Sequence, residues 1–390
     1  GGVISAGAVG MDINCGVRLI RSNLKRKDLD RRLLGALLKE IEHRIPVGVG
    51  KKSRHSGLKL EDVLTKGAPF LVKEGYGWPL DIERCEEKGV LLGADPGKVS
   101  KKAHARADQL STLGGGNHFI EIVYVSRVYE AETARQFGLE QDNIAVLIHT
   151  GSRGLGHQIC TDYSDIMYRA AGKHGITLPA KGLAAVPVDS SEGRDYYAAM
   201  ACAVNFAFAN RQLITHDVRE AFRKVLGNAP GELGLDLVCD VCHNIAKFEE
   251  HEGKKLLVHR KGAVRALPAG DGRLCQPFME TGNPVLVPGS MGNPSYVVVA
   301  TEMVRQTFCS LNHGAGRTIS RTAARQTIST EELKKDLKDI LVNVEKLSKI
   351  LDEAPAAYKN VDQVIETLVT AGLSRMVVQL QSLAVIKGED

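Results

Sequence analysis

Clustered glycines constrain this chain more than any other feature of its sequence. The 40 glycines include four clusters, each close to a histidine or an arginine: Gly114–Gly116, Gly151–Gly156, Gly289–Gly292 and Gly314–Gly316. Short runs of strand-forming residues flank these clusters: Phe119–Val125, Ile144–Ile148, Val285–Val287 and Tyr296–Ala300. Because glycine permits positive φ and close backbone approach, such loops often hold phosphate through N–H groups. The clusters predict a phosphate site at strand ends, although an ordinary turn explains any single cluster equally well.

Helical patterns alternate with these strand-like runs. Apolar residues at helical spacing predict a helix over Arg31–Arg44, and an alanine-rich pattern predicts another over Arg194–Leu226. Ser329 or Thr330 can cap a third helix, which we predict to continue to about Leu351. Interspersed strands and helices predict an α+β fold, with a compact mixed β-core and helices around it.

The residues singled out below extend over most of the chain, so we predict a single catalytic domain over residues 1–390. The charged, weakly periodic segment from Lys51 to Lys102 is predicted to be a surface excursion from that domain. The chain begins at Gly1-Gly2-Val3, in strand-like sequence without an initiator methionine. We therefore expect that a natural N-terminal segment is missing.

Composition excludes two classes of protein. Hydrophobic residues make up 43% of the chain and charged residues 25%, which is ordinary for a globular protein and excludes a mainly disordered one. The most apolar stretch, Tyr196–Asn210, falls short of the roughly 18 residues that a membrane span needs.

The net charge of +5 permits an anionic partner without requiring one. Eight scattered cysteines and no signal peptide predict free thiols or thiolate ligands in a reducing, cytoplasmic compartment.

Five potential metal ligands lie in turns or at the ends of predicted strands. Asp12 and Cys15 are three residues apart between glycines, so one turn can direct a carboxylate and a thiolate at one ion. His118 opens a predicted strand, His149 ends another, and His243 follows an apolar run. Imidazole and thiolate suit Mn, Fe, Co or Zn, and a shared cysteine can bridge two ions. Each residue alone is more often structural, so the metal hypothesis depends on the whole set.

Two other motifs overlap His243. Cys239-Asp240-Val241-Cys242-His243 matches the C-x-x-C-H pattern of c-type haem attachment, which the absence of an export signal disfavours. Cys239 and Cys242 are also half of a possible zinc site, but the chain has no second C-x-x-C to complete it.

His313 is the candidate nucleophile. It lies beside the fourth glycine cluster and Arg317, downstream of the Gly289–Gly292 cluster. A neutral imidazole in such a place can attack phosphorus while N–H groups and a guanidinium stabilise the developing charge. Neither a Walker A sequence nor G-x-G-x-x-G is present, so a P-loop or Rossmann nucleotide site is not supported.

These motifs together resemble those of the RNA-splicing ligase RtcB family. Nine segments follow one another in the family's order across nearly the whole chain: Asp12–Gly16, Gly116–Phe119, His149–Gly154, His243–Ala246, His259–Ala263, Pro288–Gly292, His313–Arg317, Ala357–Asp362 and Val385–Gly388. The family also has sequence before the Asp-x-x-Cys motif, including an Asp-Val-His element, which this chain lacks.

The resemblance implies an RtcB-like fold and a GTP- and Mn²⁺-dependent RNA ligase, acting in tRNA splicing or RNA repair. Such enzymes join a 3′-phosphate or 2′,3′-cyclic phosphate end to a 5′-OH end. It implies two Mn²⁺ ions that share Cys15, with the ligands Asp12, Cys15, His118, His149 and His243. It further implies that His313 attacks GTP and carries GMP, and that an archease-like protein can act as an activating partner.

The resemblance also implies a guanylate pocket and RNA contacts. The pocket residues are Asn117, Phe119, Glu121, Asn244, Pro288, Gly289, Ser290, Met291, Ser295, Gly314, Ala315, Gly316, Tyr358 and Lys387. The candidate RNA or phosphate contacts are Arg153, Arg260, Lys261 and Arg317.

Two other functions fit the same residues. A binuclear metal phosphatase or phosphodiesterase would use the same ligands without a reactive His313. An RNA-binding or RNA-chaperone protein with a structural metal would bind RNA in a salt-dependent way and turn over no nucleotide.

Overall fold

The structure is a computed structural model that describes residues 2–388. Strands form its centre. In chain order they are β1 (Val3–Ile4), β2 (Gly16–Lys25), β3 (Phe119–Val128), β4 (Asn143–Thr150), β5 (Val186–Pro187), β6 (Leu237–Cys242), β7 (Asn244–His251), β8 (Lys254–Lys261), β9 (Ala263–Arg265), β10 (Val285–Val287), β11 (Ser295–Ala300), β12 (Ser310–Asn312), β13 (Leu341–Val342) and β14 (Ser374–Lys387). The α-helices are α1 (Ala6–Val9), α2 (Arg31–Arg44), α3 (Leu60–Lys73), α4 (Pro79–Glu83), α5 (Lys101–His104), α6 (Ala131–Phe137), α7 (Arg153–Ala170), α8 (Ser191–Leu226), α9 (Arg321–Thr327), α10 (Thr330–Asp336) and α11 (Val361–Thr370).

One large sheet organises the molecule. Its strand order is β10-β11-β14-β3-β4-β2-β6 with antiparallel neighbours, and β13 pairs in parallel with β14. Smaller two-stranded sheets pair β1 with β5, β7 with β8, and β9 with β12. The four predicted strands are all present, as β3, β4, β10 and β11. Sheet and helices together confirm the predicted α+β class.

Both faces of the large sheet are covered, which explains the apolar sequence of its central strands. In β4, Ala145 and Leu147 pack into the layer built mainly from the C-terminal half of the chain. The alternate residues Val146 and Ile148 pack against the layer that contains α2 and the end of α8. Since side chains alternate along a strand, β4 is buried at every position.

Two of the predicted helices are confirmed. The first, α2, spans Arg31–Arg44, and the carboxylate of Asp30 caps it by accepting from the N–H of Leu33. The second, α8, begins three residues before its predicted start and ends at the left-handed Gly227. A third core, formed by α3, α7 and α8, covers the side of α8 that is rich in alanine.

The third predicted helix is wrong in its length. Ser329 caps α10 as expected, but α10 ends at Asp336 instead of near Leu351. Leu341 and Val342 instead form β13, which pairs with β14. Tertiary strand pairing therefore overrides the local helical pattern.

The segment 51–102, predicted to be a surface excursion, contains both exposed loops and a buried helix. Within it, α3 buries Val63, Leu64 and Leu71 against α8. Gly67 has φ 56° and interrupts the helix one turn after those first two residues. This break obscures the helical period in the sequence.

None of the helices within residues 2–388 is both long and apolar enough to cross a membrane.

The eight cysteines all lie within residues 2–388, and none of them forms a disulfide. Cys239 and Cys242 are buried in β6 three positions apart, so their side chains project from opposite faces of the strand. That arrangement suits neither haem attachment nor chelation of one ion by both thiols.

Candidate metal centre and nucleotide pocket

Strand pairing brings the five candidate ligands to one edge of the large sheet. Gly16, at the start of β2, pairs with Thr150 on one side and with Cys242 on the other. His149 lies opposite Phe119, the residue that follows His118. Residues adjacent to these pairs, although far apart in sequence, therefore meet in space.

A turn before β2 presents the first two ligands. The N–H of Cys15 donates to the carbonyl of Asp12 at 3.0 Å, which closes the turn. Asn14 between them has φ 55°, and its N–H donates to the carbonyl of Asn244 at 2.6 Å. The amide of Asn244 in turn donates to the carbonyl of Asp12 at 3.0 Å. Asn244, predicted in the guanylate pocket, thus also braces the metal-ligand turn.

The ligands form two groups that share Cys15. One group contains Asp12, Cys15 and His118, and the other contains Cys15, His149 and His243. Within each group, one potential ligand atom per residue lies within 4.8 Å of the others. A shared thiolate between two such groups is the arrangement of a binuclear centre.

The separations between ligand atoms fit direct coordination. Sγ of Cys15 lies 3.5 Å from Nε2 of His118 and 3.3 Å from Nε2 of His149. Nε2 of His149 lies 3.4 Å from Nε2 of His243. Metal–ligand bonds of about 2.0–2.3 Å place ligand atoms about 3.3–3.7 Å apart around a tetrahedral ion. The donor set of one oxygen, one sulfur and three nitrogens suits a transition metal.

Burial sets the protonation of these groups. It lowers the pKa of His149 and of His243 well below the usual value, so both imidazoles are neutral and able to coordinate. Burial and the nearby Asp12 raise the pKa of Cys15. Burial alone would also raise the pKa of Asp12, but the hydrogen bond and charge of His118 hold it well below its ordinary range. A bound cation would oppose the effect on Cys15, because it favours the thiolate.

His313 lies directly beside the metal cluster. Its ring centroid is 4.4 Å from that of His243. Nδ1 is 2.9 Å from the carbonyl oxygen of Gly262. Since a carbonyl can only accept, Nδ1 carries the proton and Nε2 keeps its lone pair. Burial lowers the pKa of His313, which also favours the neutral ring.

The predicted guanylate residues Phe119, Glu121 and Lys387 are brought together by the pairing of β3 with β14. Phe119 lies opposite Lys387, and Glu121 lies opposite Val385. Nζ of Lys387 donates to the carbonyl of Gly116 at 2.6 Å and lies 5.9 Å from the ring centroid of Phe119. Burial raises the pKa of Glu121 to about 7, although the charge of Lys387 and a hydrogen bond with Ser382 oppose the shift.

Two predicted loops of the pocket contact each other. The carbonyl of Pro288 accepts the N–H of Ala315 at 3.3 Å, and a β-carbon on Gly314 would lie 3.2 Å from the same oxygen. Ser295 accepts the N–H of Gly289 through its hydroxyl at 3.1 Å. In the same two loops, Ser290 and Met291 are buried, and Gly316 has a left-handed conformation. Asn117, the remaining predicted member, is exposed in the loop before β3.

Tyr358 joins the pocket through a charged network. Its hydroxyl donates to Glu353 at 2.7 Å and accepts from Nη1 of Arg317 at 3.0 Å. Glu353 is buried and also pairs with Lys387 at 3.1 Å and with Arg321 at 2.6 Å. This network connects one end of β14 to the loop that carries His313.

The four predicted RNA contacts have different surroundings. Arg153 is buried beside the metal cluster, where Nε donates to Thr112 at 3.2 Å and the guanidinium packs against Gly114. Arg317 is half-buried in the network around Tyr358. Lys261 is exposed, and its Nζ donates to the carbonyl of Gly7 at 3.2 Å. Arg153 and Arg317 therefore border the candidate site directly.

Arg260 has a structural environment that does not favour an RNA contact. It is 2% exposed, and its guanidinium forms a bidentate ion pair with Glu249. It also donates to the carbonyl of Phe308, a residue in a left-handed conformation, at 2.9 Å. Strand β8 directs Arg260 inward and its neighbour Lys261 outward.

Sequence analysis missed several residues that support the site. Arg211, on α8, is fully buried and donates from Nη1 to the carbonyls of Asn14 and Thr150. Asn210 donates to Thr150 and Gly151. Glu353 was also missed. Polar residues inside an otherwise apolar helix were the available indication for Asn210 and Arg211, because such residues are buried only when they are hydrogen-bonded.

Comparisons with known proteins agree with this geometry. The family profile described as tRNA-splicing ligase RtcB matches residues 1–388. A protein of Archaeoglobus fulgidus named tRNA-splicing ligase RtcB is 48% identical over 397 aligned positions, which cover 99% of this chain and 82% of that protein. A protein of the same name from Thermococcus kodakarensis is 47% identical, with the same two coverages of 99% and 82%. The chain therefore belongs to the RtcB family of tRNA-splicing ligases.

Proposed function

We propose that this chain is an RNA ligase that uses GTP and two Mn²⁺ ions, and that residues 1–390 act as one catalytic unit. It joins an RNA 3′-phosphate or 2′,3′-cyclic phosphate end to a 5′-OH end. The names of the relatives support RNA ligation in tRNA splicing. Action in the cytoplasm and activation by an archease-like partner remain predictions of the resemblance.

The orientation of His313 is the observation that carries the proposal. Its Nδ1 proton is committed to Gly262, so the lone pair of Nε2 is available, and its ring lies against the candidate ligand His243. A neutral, oriented imidazole beside a cation site is suited to attack on phosphorus. A phosphatase with the same metal ligands has no need of such a residue.

In the first step, Nε2 of His313 forms a bond to the α-phosphorus of GTP. The bond from that phosphorus to the oxygen bridging the β-phosphate breaks, and pyrophosphate leaves. Gly262 holds the Nδ1 proton during attack, which stabilises the ring as it gains positive charge. Arg153 and Arg317, at the borders of the site, are suited to phosphate contacts.

A 2′,3′-cyclic phosphate end is first opened by water, which bonds to phosphorus while the bond to O2′ breaks and O2′ takes up a proton, so that a 3′-phosphate remains. In the second step, an oxygen of the RNA 3′-phosphate attacks the phosphorus of the bound GMP, and His313 leaves. In the third step, the 5′-OH attacks the phosphorus of the 3′-phosphate and loses its proton to water. A phosphodiester forms, the bond from that phosphorus to the bridging oxygen breaks, and GMP departs. Bound Mn²⁺ would supply charge neutralisation and orientation of the phosphates, held by Asp12, Cys15, His118, His149 and His243. Holding both RNA ends in one site lowers the entropic cost of the reaction.

Covalent capture of GMP tests the proposal. The chain is incubated with Mn²⁺ and GTP labelled on the α-phosphate, then separated on a denaturing gel. We expect a labelled protein band that acid removes and alkali does not, which is the behaviour of a phosphoramidate. His313→Ala should abolish the label, whereas His251→Ala, at the other end of β7 from the metal cluster, should retain it.

The alternatives predict different outcomes. An unlabelled wild-type chain that releases phosphate from RNA ends would favour the metal phosphatase. An unlabelled chain that only binds RNA would favour the RNA-binding protein with a structural metal. Either result would remove the ligase proposal for this chain.

A further inference from the structure

We propose that an exposed basic surface beside the metal centre binds the RNA strand along the part that leads away from its reacting end. The inference rests on the proposed ligase function. The surface is formed by two segments of the predicted excursion, 51–59 and 98–106. Its eight cations are Lys51, Lys52, Arg54, Lys59, Lys98, Lys101, Lys102 and Arg106. We call this set the basic surface.

The charge of the basic surface is largely unbalanced. All eight side chains are exposed, and neither segment contains an aspartate or a glutamate. Within residues 2–388, the ion pairs of these cations are two: Lys52 with Asp108 at 3.1 Å and Lys98 with Asp195 at 3.0 Å. A cluster of unpaired cations repels itself, so it favours an anionic partner.

The two segments are held next to each other. The N–H of Ser53 donates to the carbonyl of Asp108 at 2.7 Å, and Lys52 reaches the carboxylate of the same residue. His55 pairs with Asp217 of α8 at 2.8 Å, which fixes the middle of the first segment. The second segment is fixed by Tyr163 of α7, whose hydroxyl donates to the carbonyl of Lys98. The surface is therefore built on the core, not on a free loop.

One end of the basic surface adjoins the metal centre. Cδ of Arg106 lies 3.1 Å from the position of a β-carbon on Gly154, in the first turn of α7. Ser152, which caps this helix, donates to the carboxylate of Asp12 at 3.2 Å. Arg106 therefore packs against Gly154, two residues along the chain from Ser152, which holds the candidate ligand Asp12.

The chain that leads into the basic surface passes beside the nucleotide pocket. Gly48, three residues before Lys51, lies 3.0 Å from the position of a β-carbon on Gly388, the neighbour of Lys387. A strand whose end reacts at His313 and the metals must pass over one of the borders of this site. At the border formed by the basic surface, cations continue outward from the buried Arg153 through Arg106.

An RNA strand fits this surface better than an acidic protein does. Cations spread along two segments can meet successive phosphates, whatever the sequence of the strand. Continuity with the phosphate chemistry of the proposed site favours the substrate itself. An acidic partner protein is the other class of ligand, and the experiment separates the two.

The test is the salt dependence of RNA binding. The probe is a fluorescent single-stranded RNA of roughly 20 nucleotides with a 3′-phosphate, and binding is followed by anisotropy between about 50 and 200 mM KCl. The variants are K51Q/K52Q/R54Q and K101Q/K102Q/R106Q. The matched control is K27Q/R31Q/R32Q, which removes three exposed cations at the end of β2 remote from Cys15.

We expect each triple variant to bind the probe at least tenfold more weakly at low salt. The slope of log K against log salt should become shallower by about 2, since each lost contact to single-stranded RNA contributes about 0.7. The control should match the wild type. Acetylation of Lys51, Lys52, Lys101 and Lys102, but not of Lys27, should slow when RNA is bound. Slopes and acetylation rates equal to those of the control would overturn the proposal and leave an acidic protein as the candidate.

Labelling by GTP separates this inference from the proposed function. The variants should take GMP onto His313 as the wild type does, because this step needs no RNA. A wild type that takes no label refutes the ligase, whereas the salt slopes and the acetylation rates decide whether the basic surface binds RNA.

Discussion

Arg211 donates from Nη1 to the carbonyl oxygen of Asn14 at 2.8 Å, immediately before the thiol of Cys15 in the chain. The same nitrogen donates to the carbonyl of Thr150 at 3.0 Å, immediately after His149. One buried guanidinium therefore ties together the two backbone segments that present a shared thiol and an imidazole. Asp240 orients this guanidinium, and a β-carbon on Gly16 would lie 3.1 Å from its Cζ.

Replacing Arg211 by methionine should weaken metal binding. The substitution leaves two carbonyls beside the ligands without their donor, so Cys15 and His149 lose their fixed positions. We expect Mn²⁺ affinity to fall by about 10- to 100-fold, as for other residues that orient ligands. Calorimetric titration with Mn²⁺ measures the effect.

Arg219→Met is the matched control for Arg211→Met. Arg219 lies on the same helix and forms a buried, bidentate ion pair with Asp81. Both variants should lose about 3–5 kcal/mol of unfolding free energy, because each breaks a buried pair. If Arg219→Met lowers Mn²⁺ affinity as much as Arg211→Met does, the positioning role of Arg211 is refuted.

The shared position of Cys15 predicts how many ions each variant retains. We expect the wild type to bind two Mn²⁺, and His118→Ala and His243→Ala to keep one each, because each removes a ligand from one group. Cys15→Ala should lose high-affinity binding at both positions. Metal content after gel filtration, measured by mass spectrometry, tests this pattern. Retention of one tightly held ion by Cys15→Ala would show that the thiol is not shared.

The close approach of Gly151 to Asp12 predicts that a side chain at position 151 would disturb the candidate metal centre. A β-carbon there would lie 2.6 Å from Oδ1 of Asp12 and 2.7 Å from Oδ2, which is too close. Gly151→Ala should therefore displace the carboxylate and lower affinity for the ion that Asp12 holds. Gly172→Ala, whose β-carbon would meet nothing within 4 Å, is the control. Equal Mn²⁺ affinity in the two variants, by titration, would contradict the placement of Asp12.

The sequence was most informative where chemistry and local structure coincide. Asp12, Cys15, His118 and His149 could be proposed as ligands because each accompanies a glycine turn or a strand end. Ser329, one of the two predicted N-caps, could be proposed for the same reason, since its hydroxyl and the side chain of Glu332 form a local capping box. Such features depend on neighbours in the chain, which a sequence displays directly.

Features that depend on distant pairing were not predictable. The end of α10 is set by the pairing of Leu341 with Ala384, which no local pattern indicates. Arg260 resembles its exposed neighbour Lys261 in sequence, yet Glu249 across the hairpin makes it a buried ion pair. Arg211 is joined to Asn14 across 197 positions. In each case a long-range contact decides the role of the residue.

Glu121 predicts a specific dependence of stability on pH. Burial raises its pKa to about 7 from its ordinary value of 4.5. The folded chain therefore binds one proton more than the unfolded chain between these values. Because of this, the contribution of Glu121 to the unfolding free energy falls as the pH rises from 4.5 to about 7, and it is constant at higher pH.

Glu121→Gln removes this dependence. Relative to the wild type, the variant should gain about 2–3 kcal/mol of unfolding free energy between about pH 5 and about pH 8, given about 1.4 kcal/mol for each pKa unit. Urea unfolding at both pH values, without metal or nucleotide, measures the gain. The exposed Glu366→Gln should show no such gain. A constant difference between Glu121→Gln and the wild type would mean that Glu121 is ionised in the folded chain throughout this range, and that Lys387 outweighs burial.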